Sequence, residues 1–257
     1  MSDDPLADAR EALAEITALL RRHFGTKLRG LYLFGSLAAG GFRPGRSDLD
    51  LVAVLNSDVR DGEEVRALES LHAAFAAEHP AWIERVEVGY VSHAVLQTFS
   101  AVPAGRIAVI SPGEPLNEKE AGWDWVLNWH SVCAHGEVLL GQPPLELGPA
   151  VTGDVYRRAV EAQLEDWKSR VGDRWIGYVP AHQGYIVATV CRALYALTTG
   201  EQTTKENAVA WAMERFPEWS SFIDEAFSWY RADLAVPHQN TKRFVDYAVT
   251  EAGRLQQ

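Results

Sequence analysis

Cysteine is nearly missing from this chain, with only Cys133 and Cys191 among 257 residues. They stand far apart and without metal-ligand spacing, which excludes a disulfide framework and a zinc module. Both read as ordinary buried thiols of a protein kept in a reducing compartment. Long apolar runs are missing too: no stretch approaches the roughly 18 residues that span a bilayer. Asp3, Asp4, Asp8 and Glu11 near the start carry the wrong charge for a secretory leader, so a cytoplasmic location without membrane attachment is expected. Positive charge is scarce, with 24 Lys plus Arg against 35 Asp plus Glu and a net charge of −11. Such a surface repels polyphosphate backbones and attracts cations, so a nucleic-acid partner is not expected. Neither an internal repeat nor a low-complexity tract is present. No exposed seam suggests a strong self-association surface, and a monomer or weak homodimer is expected.

What is present suffices for two domains. Hydrophobic residues make up 47% of the chain and Trp occurs nine times. Leu6, Ala9, Leu13, Ile16, Leu20 and Phe24 recur at steps of three and four, the stripe of a helix that ends at Gly25. Leu28 to Phe34 reads as a strand running into Gly35-Ser36. A turn containing Gly40, Gly41, Pro44 and Gly45 leads to a second strand, Asp48 to Leu55. A helix over 61–78 and a third strand over 82–91 complete an α/β unit with a small mixed sheet. From about Asn117 onward the pattern reads as helical almost throughout. A patch with Gly141, Pro143, Pro144, Gly148 and Pro149 interrupts it and sets the expected boundary between domains 1–149 and 150–257. Helices are expected at about 154–170, 184–199, 204–216, 218–232 and 240–255, packed as an all-α bundle.

The chemistry concentrates in Phe34-Gly35-Ser36 and Ser47-Asp48-Leu49-Asp50-Leu51. Gly35 at a strand end lets backbone approach a phosphate closely, and Ser36 adds a hydroxyl. The N-terminus of the helix that follows offers unpaired N–H groups to anionic oxygens. Asp48 and Asp50 leave the same face of a strand while Leu49 and Leu51 leave the other. Two neighbouring carboxylates repel unless a cation sits between them, and Mg2+ with triphosphate oxygens suits that place. In Val86-Glu87-Val88, Glu87 points away from the apolar face. If Val86 and Val88 join Leu49 and Leu51 in the core, Glu87 joins Asp48 and Asp50 as metal ligand and as proton acceptor for an attacking hydroxyl. No Gly-Lys-Ser/Thr follows, so this is not a Walker-type loop, and no Ser hydrolase motif is present. Tyr178, His182 and Tyr185 could stack on an acceptor, or simply pack. Trp123, Trp125 and Trp129 have the spacing of a buried helix face.

These residues resemble the polymerase-beta-like nucleotidyltransferase superfamily and, more narrowly, the aminoglycoside (3'')(9) adenylyltransferases that modify streptomycin and spectinomycin. The resemblance rests on Gly35, Ser36, Gly40, Gly41, Pro44, Ser47, Asp48, Asp50 and the Glu87 strand. It continues through Arg192-Ala193-Leu194-Tyr195, Thr199-Gly200, Lys205 and Trp211-Ala212-Met213-Glu214-Arg215, covering about two-thirds of the chain. The family implies Asp48 and Asp50 as Mg2+ ligands and Glu87 as catalytic base. It implies phosphate contacts from Ser36 and Ser47, and triphosphate contacts from Arg192 and Lys205 across a cleft. The turn before Asp48 is one residue longer than the family pattern, at Pro44-Gly45-Arg46. Tyr178 to Tyr185 contains none of the acids that the family places before the helix carrying Arg192, and Ser111-Pro112-Gly113 stands where an aromatic platform is expected.

The expectation is therefore AMP transfer from ATP to a hydroxyl of a small cationic acceptor, an aminoglycoside or aminocyclitol. Two alternatives remain open at this point. One is a nucleotidyltransferase with another small-molecule or protein acceptor, favoured by the missing acids. The other is a non-catalytic nucleotide-binding, antitoxin-like protein, which has no need for three clustered carboxylates.

Overall fold

The apolar stripe at the start folds as α1 (Ala7–Phe24) and buries Ala9, Ala12, Leu13, Ile16, Leu20 and Phe24. Opposite it stand three strands, β1 (Leu28–Phe34), β2 (Leu49–Leu55) and β3 (Val86–Ser92). In each of the three, every residue but the second is buried. A strand covered on both faces must be apolar at both odd and even positions, which explains Leu-Tyr-Leu-Phe in β1 and Leu-Val-Ala-Val-Leu in β2. One face, with Leu31, Leu33, Leu49, Leu51, Ala53, Val88 and Tyr90, meets α1 and α3 (Asp61–Glu78) in a single apolar core.

This computed structural model describes residues 6–112, 114–171, 180–231 and 239–255. The chain divides into two units, residues 1–152 and 153–257. The first contains a six-stranded mixed sheet in the order β5-β4-β3-β2-β1-β6. β1 runs antiparallel to β2, and β2 runs parallel to β3 through the α3 crossover. Between β1 and β2 lies α2 (Gly35–Ala38), and α4 (His93–Gln97) follows β3. Beyond them come β4 (Arg106–Ile110), β5 (Asn117–Glu120), α5 (Trp123–His135), β6 (Glu137–Gly141) and α6 (Pro144–Leu147).

Two expectations need correction. The third strand starts at Val86 rather than Trp82. Pro80 opens a tight turn through Trp82, and Glu84 takes a φ of 54°, which extended pairing does not accept. The region after Asn117 is not helical almost throughout, because β5 and β6 close the two edges of the sheet. Asn-Glu-Lys-Glu in β5 is polar at every position, so pairing with β4 rather than alternation makes it a strand. The Pro- and Gly-rich patch packs onto the first unit: the Trp129 indole donates to the Pro149 carbonyl at 2.9 Å.

The second face of the sheet is covered by α5. Trp129 meets Tyr32 edge-on with ring centroids 5.6 Å apart, and both Trp125 and Trp129 are buried. The Trp125 ring lies against Gly89, where a Cβ would overlap it. Gly89 follows Glu87 by two on the same face of β3, so Trp125 sits one step along the strand from that carboxylate.

The second unit is helical in its described part. It contains α7 (Gly153–Arg170), α8 (Pro180–Thr199), α9 (Lys205–Arg215), α10 (Ser220–Arg231) and α11 (Gln239–Arg254). α8 is the central helix and packs against the other four, burying Ile186, Val187, Val190, Cys191 and Leu194. Thr204 caps α9 by accepting the Asn207 amide at 3.2 Å. Within the bundle the Thr241 hydroxyl donates to Gln183 Oε1 at 2.8 Å, both residues being buried. No helix among the described residues is long and apolar enough to cross a membrane.

The packing of Trp125 on Gly89 makes one prediction. Gly89→Ala should lower unfolding stability by ~1–3 kcal/mol through overpacking, measured by urea denaturation. A variant as stable as the parent would show that α5 does not press on β3 there.

Candidate active site

The register of the sheet builds the site. Phe34 pairs with Asp50, and Asp50 pairs with Glu87. One row across three strands thus carries the residue preceding Gly35-Ser36, a carboxylate, and a second carboxylate. The neighbouring pairs Leu49–Val86 and Leu51–Val88 keep the apolar side chains on the core face. Alternation then sends Asp50 and Glu87 to the other face together. Asp48, just before β2, has a side chain 37% exposed and contributes to the field at Glu87.

Gly35 has a φ of +69°, and a Cβ there would overlap the Asp50 carboxylate. The glycine therefore does two things: it turns the chain out of β1 and leaves the space that Asp50 occupies. α2 is a single turn, Gly35–Ala38, closed by Ala39 N–H to Gly35 carbonyl at 3.0 Å and Gly41 N–H to Ser36 carbonyl at 2.9 Å. So short an element has almost no macrodipole, and any anion attraction comes from individual N–H groups rather than from a helix end.

The longer turn before Asp48 closes locally. Ser47 N–H donates to the Arg43 carbonyl at 2.9 Å, and the Arg43 N–H donates to Ser47 Oγ, also at 2.9 Å. Gly45 absorbs the extra residue with a φ of +74°. Because Ser47 Oγ accepts from Arg43, its own O–H proton is what it can offer to a phosphate oxygen.

Burial pushes the Glu87 carboxyl up to about 7; Lys119 opposes that shift, while Asp124, Asp48 and Glu114 add to it. A carboxyl poised near neutrality suits a general base. Lys119 pairs with Asp124 at 3.3 Å and stands 5.7 Å from the centroid of the Trp125 ring. The Trp125 indole N–H is buried without a hydrogen-bond partner. These groups did not emerge from the sequence. Lys119 lies in a polar edge strand, and Asp124 and Trp125 fall in a helix whose spacing suggests only packing.

The donors suit a hard cation. Three carboxylates are all-oxygen ligands, and Asp50 occupies a space that any side chain at position 35 would fill. Among the described residues, however, no group of three His, Cys, Asp or Glu side chains is drawn together tightly enough to hold an ion.

Remaining candidates lie on the second unit. Lys205, at the start of α9, sets its Nζ 4.4 Å from the centroid of the Tyr185 ring, and that ring meets Trp167 edge-on at 6.0 Å. Tyr185 is 41% exposed. Its face carries a lysine, so the side chain expected to stack on an acceptor is engaged with the residue expected to bind phosphate. Arg192 is half-buried on α8 and close enough to Tyr156 to lower that phenol's pKa, against the burial that raises it to about 12. His182 is exposed. Tyr178 lies outside the described residues.

Comparison with known proteins identifies the family and the fold. The model of the nucleotidyltransferase domain matches residues 13–100, and that of the aminoglycoside adenylyltransferase C-terminal domain matches 146–251. Aminoglycoside (3'') (9) adenylyltransferases from Shigella flexneri and Escherichia coli are each 26% identical, over 268 and 269 residues, covering 99% of this chain and 99% of theirs. Among solved structures, the spectinomycin adenyltransferase AAD(9) from Enterococcus faecialis, crystallised with ATP and spectinomycin, superposes with a TM-score of 0.75 at 18% identity. That match covers 96% of this chain and 99% of the other, and it establishes the shared fold. The chain is a nucleotidyltransferase of the adenylyltransferase family, with an N-terminal nucleotidyltransferase domain and a C-terminal domain of the aminoglycoside adenylyltransferase type.

Proposed function

We propose that this enzyme transfers AMP from ATP to a hydroxyl of an aminoglycoside or aminocyclitol antibiotic of the streptomycin or spectinomycin type, releasing pyrophosphate. The observation that carries the reading is the row in which Asp50 and Glu87 are register partners beside Gly35-Ser36. Attack on an α-phosphate needs a hydroxyl held in line, an acceptor for its proton, and charge against the leaving pyrophosphate. Glu87 takes the hydroxyl proton while the acceptor oxygen bonds to phosphorus and the bond to pyrophosphate breaks. Asp48 and Asp50 hold Mg2+, which supplies positive charge against the triphosphate oxygens when bound. Ser36 and Ser47 donate to phosphate oxygens, and Arg192 and Lys205 add charge toward the triphosphate. Tyr185 serves by holding the Lys205 ammonium against its ring. His182 and Tyr178 are left as contacts to the acceptor.

A cationic acceptor is supported by the acidic surroundings of Glu87. Asp124, Asp48 and Glu114 all act on that carboxyl, and the whole chain carries −11. This acidic field offers an attraction for the acceptor's amines in place of the acids missing from 178–185. The missing acids also favour a second reading, the same nucleotidyl transfer onto another small molecule or a protein hydroxyl. Mg2+-dependent pyrophosphate release with each nucleoside triphosphate against a panel of aminoglycosides and aminocyclitols decides between them. The expected product, by mass spectrometry, is drug plus AMP, formed with streptomycin or spectinomycin and lost in Asp48→Asn. ATP binding without release against any drug would move the acceptor outside this class.

Two further outcomes test Glu87. Glu87→Gln should keep ATP binding and lower turnover at least ~100-fold. The parent kcat/KM should rise with pH through an apparent pKa at or below about 7, since the base acts only when deprotonated. A variant with near-normal turnover would remove Glu87 from the base role. The same carboxyl affects stability. Its folded pKa of about 7 lies above the ordinary glutamate value of 4.5. Between these values the native state therefore holds more protons than the unfolded state, and stability falls as pH rises. In metal-free protein, Glu87→Gln should gain ~1 kcal/mol or more relative to the parent between pH 5 and pH 8, read by urea denaturation. Equal pH dependence in the two proteins would mean that Glu87 ionises normally.

A further inference from the structure

Arg85 stands two residues before Glu87, and the chemistry above makes no use of it. Its guanidinium is held on three sides. Nη1 donates to the Ala81 carbonyl at 2.9 Å, Nη2 donates to the Ser47 carbonyl, and Cζ lies 4.6 Å from the centroid of the Trp82 ring. Trp82 is fixed in turn: it is buried, it stacks on Phe42 at 6.3 Å, and its indole donates to Asp8 at 3.0 Å. Phe42 belongs to the longer turn, so one stack of Phe42, Trp82 and Arg85 braces the segment that delivers Asp48.

The third donor group of Arg85 is different. Nε is buried without a hydrogen-bond partner and lies 4.0 Å from Asp48 Oδ1. That separation is too long for a hydrogen bond, yet two opposite charges so close still attract strongly where water is partly excluded. The guanidinium, 17% exposed and anchored by two carbonyls and a ring, cannot shift far; the Asp48 carboxylate, 37% exposed, is the partner that can turn. A buried donor left unmade is costly, and Asp48 turned inward is the group that satisfies it.

We propose that Arg85 is a positioning residue and a built-in counter-cation for Asp48, holding that carboxylate when no metal is bound and competing with the metal for it. The inference rests on Asp48 being a Mg2+ ligand, as proposed above. Mg2+ binding to the nucleotide-free protein is then weak by construction, and the metal enters chiefly with ATP, whose phosphates supply further oxygen ligands.

The sign of the effect separates this role from simple bracing. A unit charge within a few ångströms of a divalent ion changes its affinity by about tenfold even when well screened. Mn2+ binding to the full-length, nucleotide-free protein, followed by electron paramagnetic resonance, should tighten about tenfold in Arg85→Gln. Arg85→Lys, which keeps the charge, should stay within ~3-fold of the parent. Should Arg85→Gln fail to fold, as judged by circular dichroism, Arg85→Met keeps the stem over Trp82 and makes the same comparison. Unchanged or weaker Mn2+ binding in a folded neutral variant would overturn the proposal, because loss of a mere brace loosens the site. Parent and Asp50→Ala controls, with and without ATP, keep the two readings apart. A parent that binds no Mn2+ even with ATP would overturn the metal assignment and this inference together. Parent binding that Asp50→Ala abolishes, with no tightening in Arg85→Gln, would overturn this inference alone.

Discussion

Like charges gathered at one place on a sheet are the constraint around which this molecule is arranged. Asp50 and Glu87 occupy the same rung of the parallel pair β2–β3, and Asp48 stands close enough to raise the Glu87 pKa. Left alone, such carboxylates disfavour the fold. They are tolerated because the opposite face of the same strands is sealed by Leu49, Leu51, Val86 and Val88, and a one-residue slip would exchange the two faces. Register here is set by apolar burial, and the carboxylates follow from it. The protein also surrounds them with fixed cations, Arg85 beside Asp48 and Lys119 near Glu87.

The central part of this arrangement was legible in the sequence because it depends on short-range alternation. Leu49-Asp50-Leu51 and Val86-Glu87-Val88 state their faces outright, and Gly35 announces a close approach whose partner turns out to be Asp50 itself. The helical second unit was readable for the same reason: apolar residues at helical spacing and Pro or Gly at the ends. What could not be read depends on distant partners. β5 is all polar, and only pairing with β4 makes it a strand; with it went Lys119. The stretch 82–85 carries strand-forming residues, but the Pro80 turn and the left-handed Glu84 remove it from the sheet. The engagement of Tyr185 by Lys205 joins residues twenty apart on different helices, which no local pattern encodes.

The same distinction bears on substrate choice. The turn before Asp48 is longer than the family pattern but closes through Arg43, Gly45 and Ser47, and Asp50 still pairs in register with Glu87. The residues expected at the acceptor, Tyr178 to Tyr185, are where the chain departs from the family pattern. An acidic field can be supplied from several places at once, because electrostatic attraction at a few ångströms depends on position and burial rather than on which element carries the charge. Asp124 and Glu114 act on Glu87 from β5's neighbourhood, while Tyr178 to Tyr185 contribute no acid.

The electrostatic environment of Glu87 also has to satisfy two opposing demands. Burial and negative neighbours raise its pKa, while a nearby cation limits the rise. Lys119 supplies that limit from the far side, tied to Asp124 at 3.3 Å so that neither charge acts alone. Trp125, buried against Gly89, covers the next step of β3. Burial and acidic neighbours therefore act on this one carboxyl against a single opposing cation, and that balance is what leaves it near neutrality.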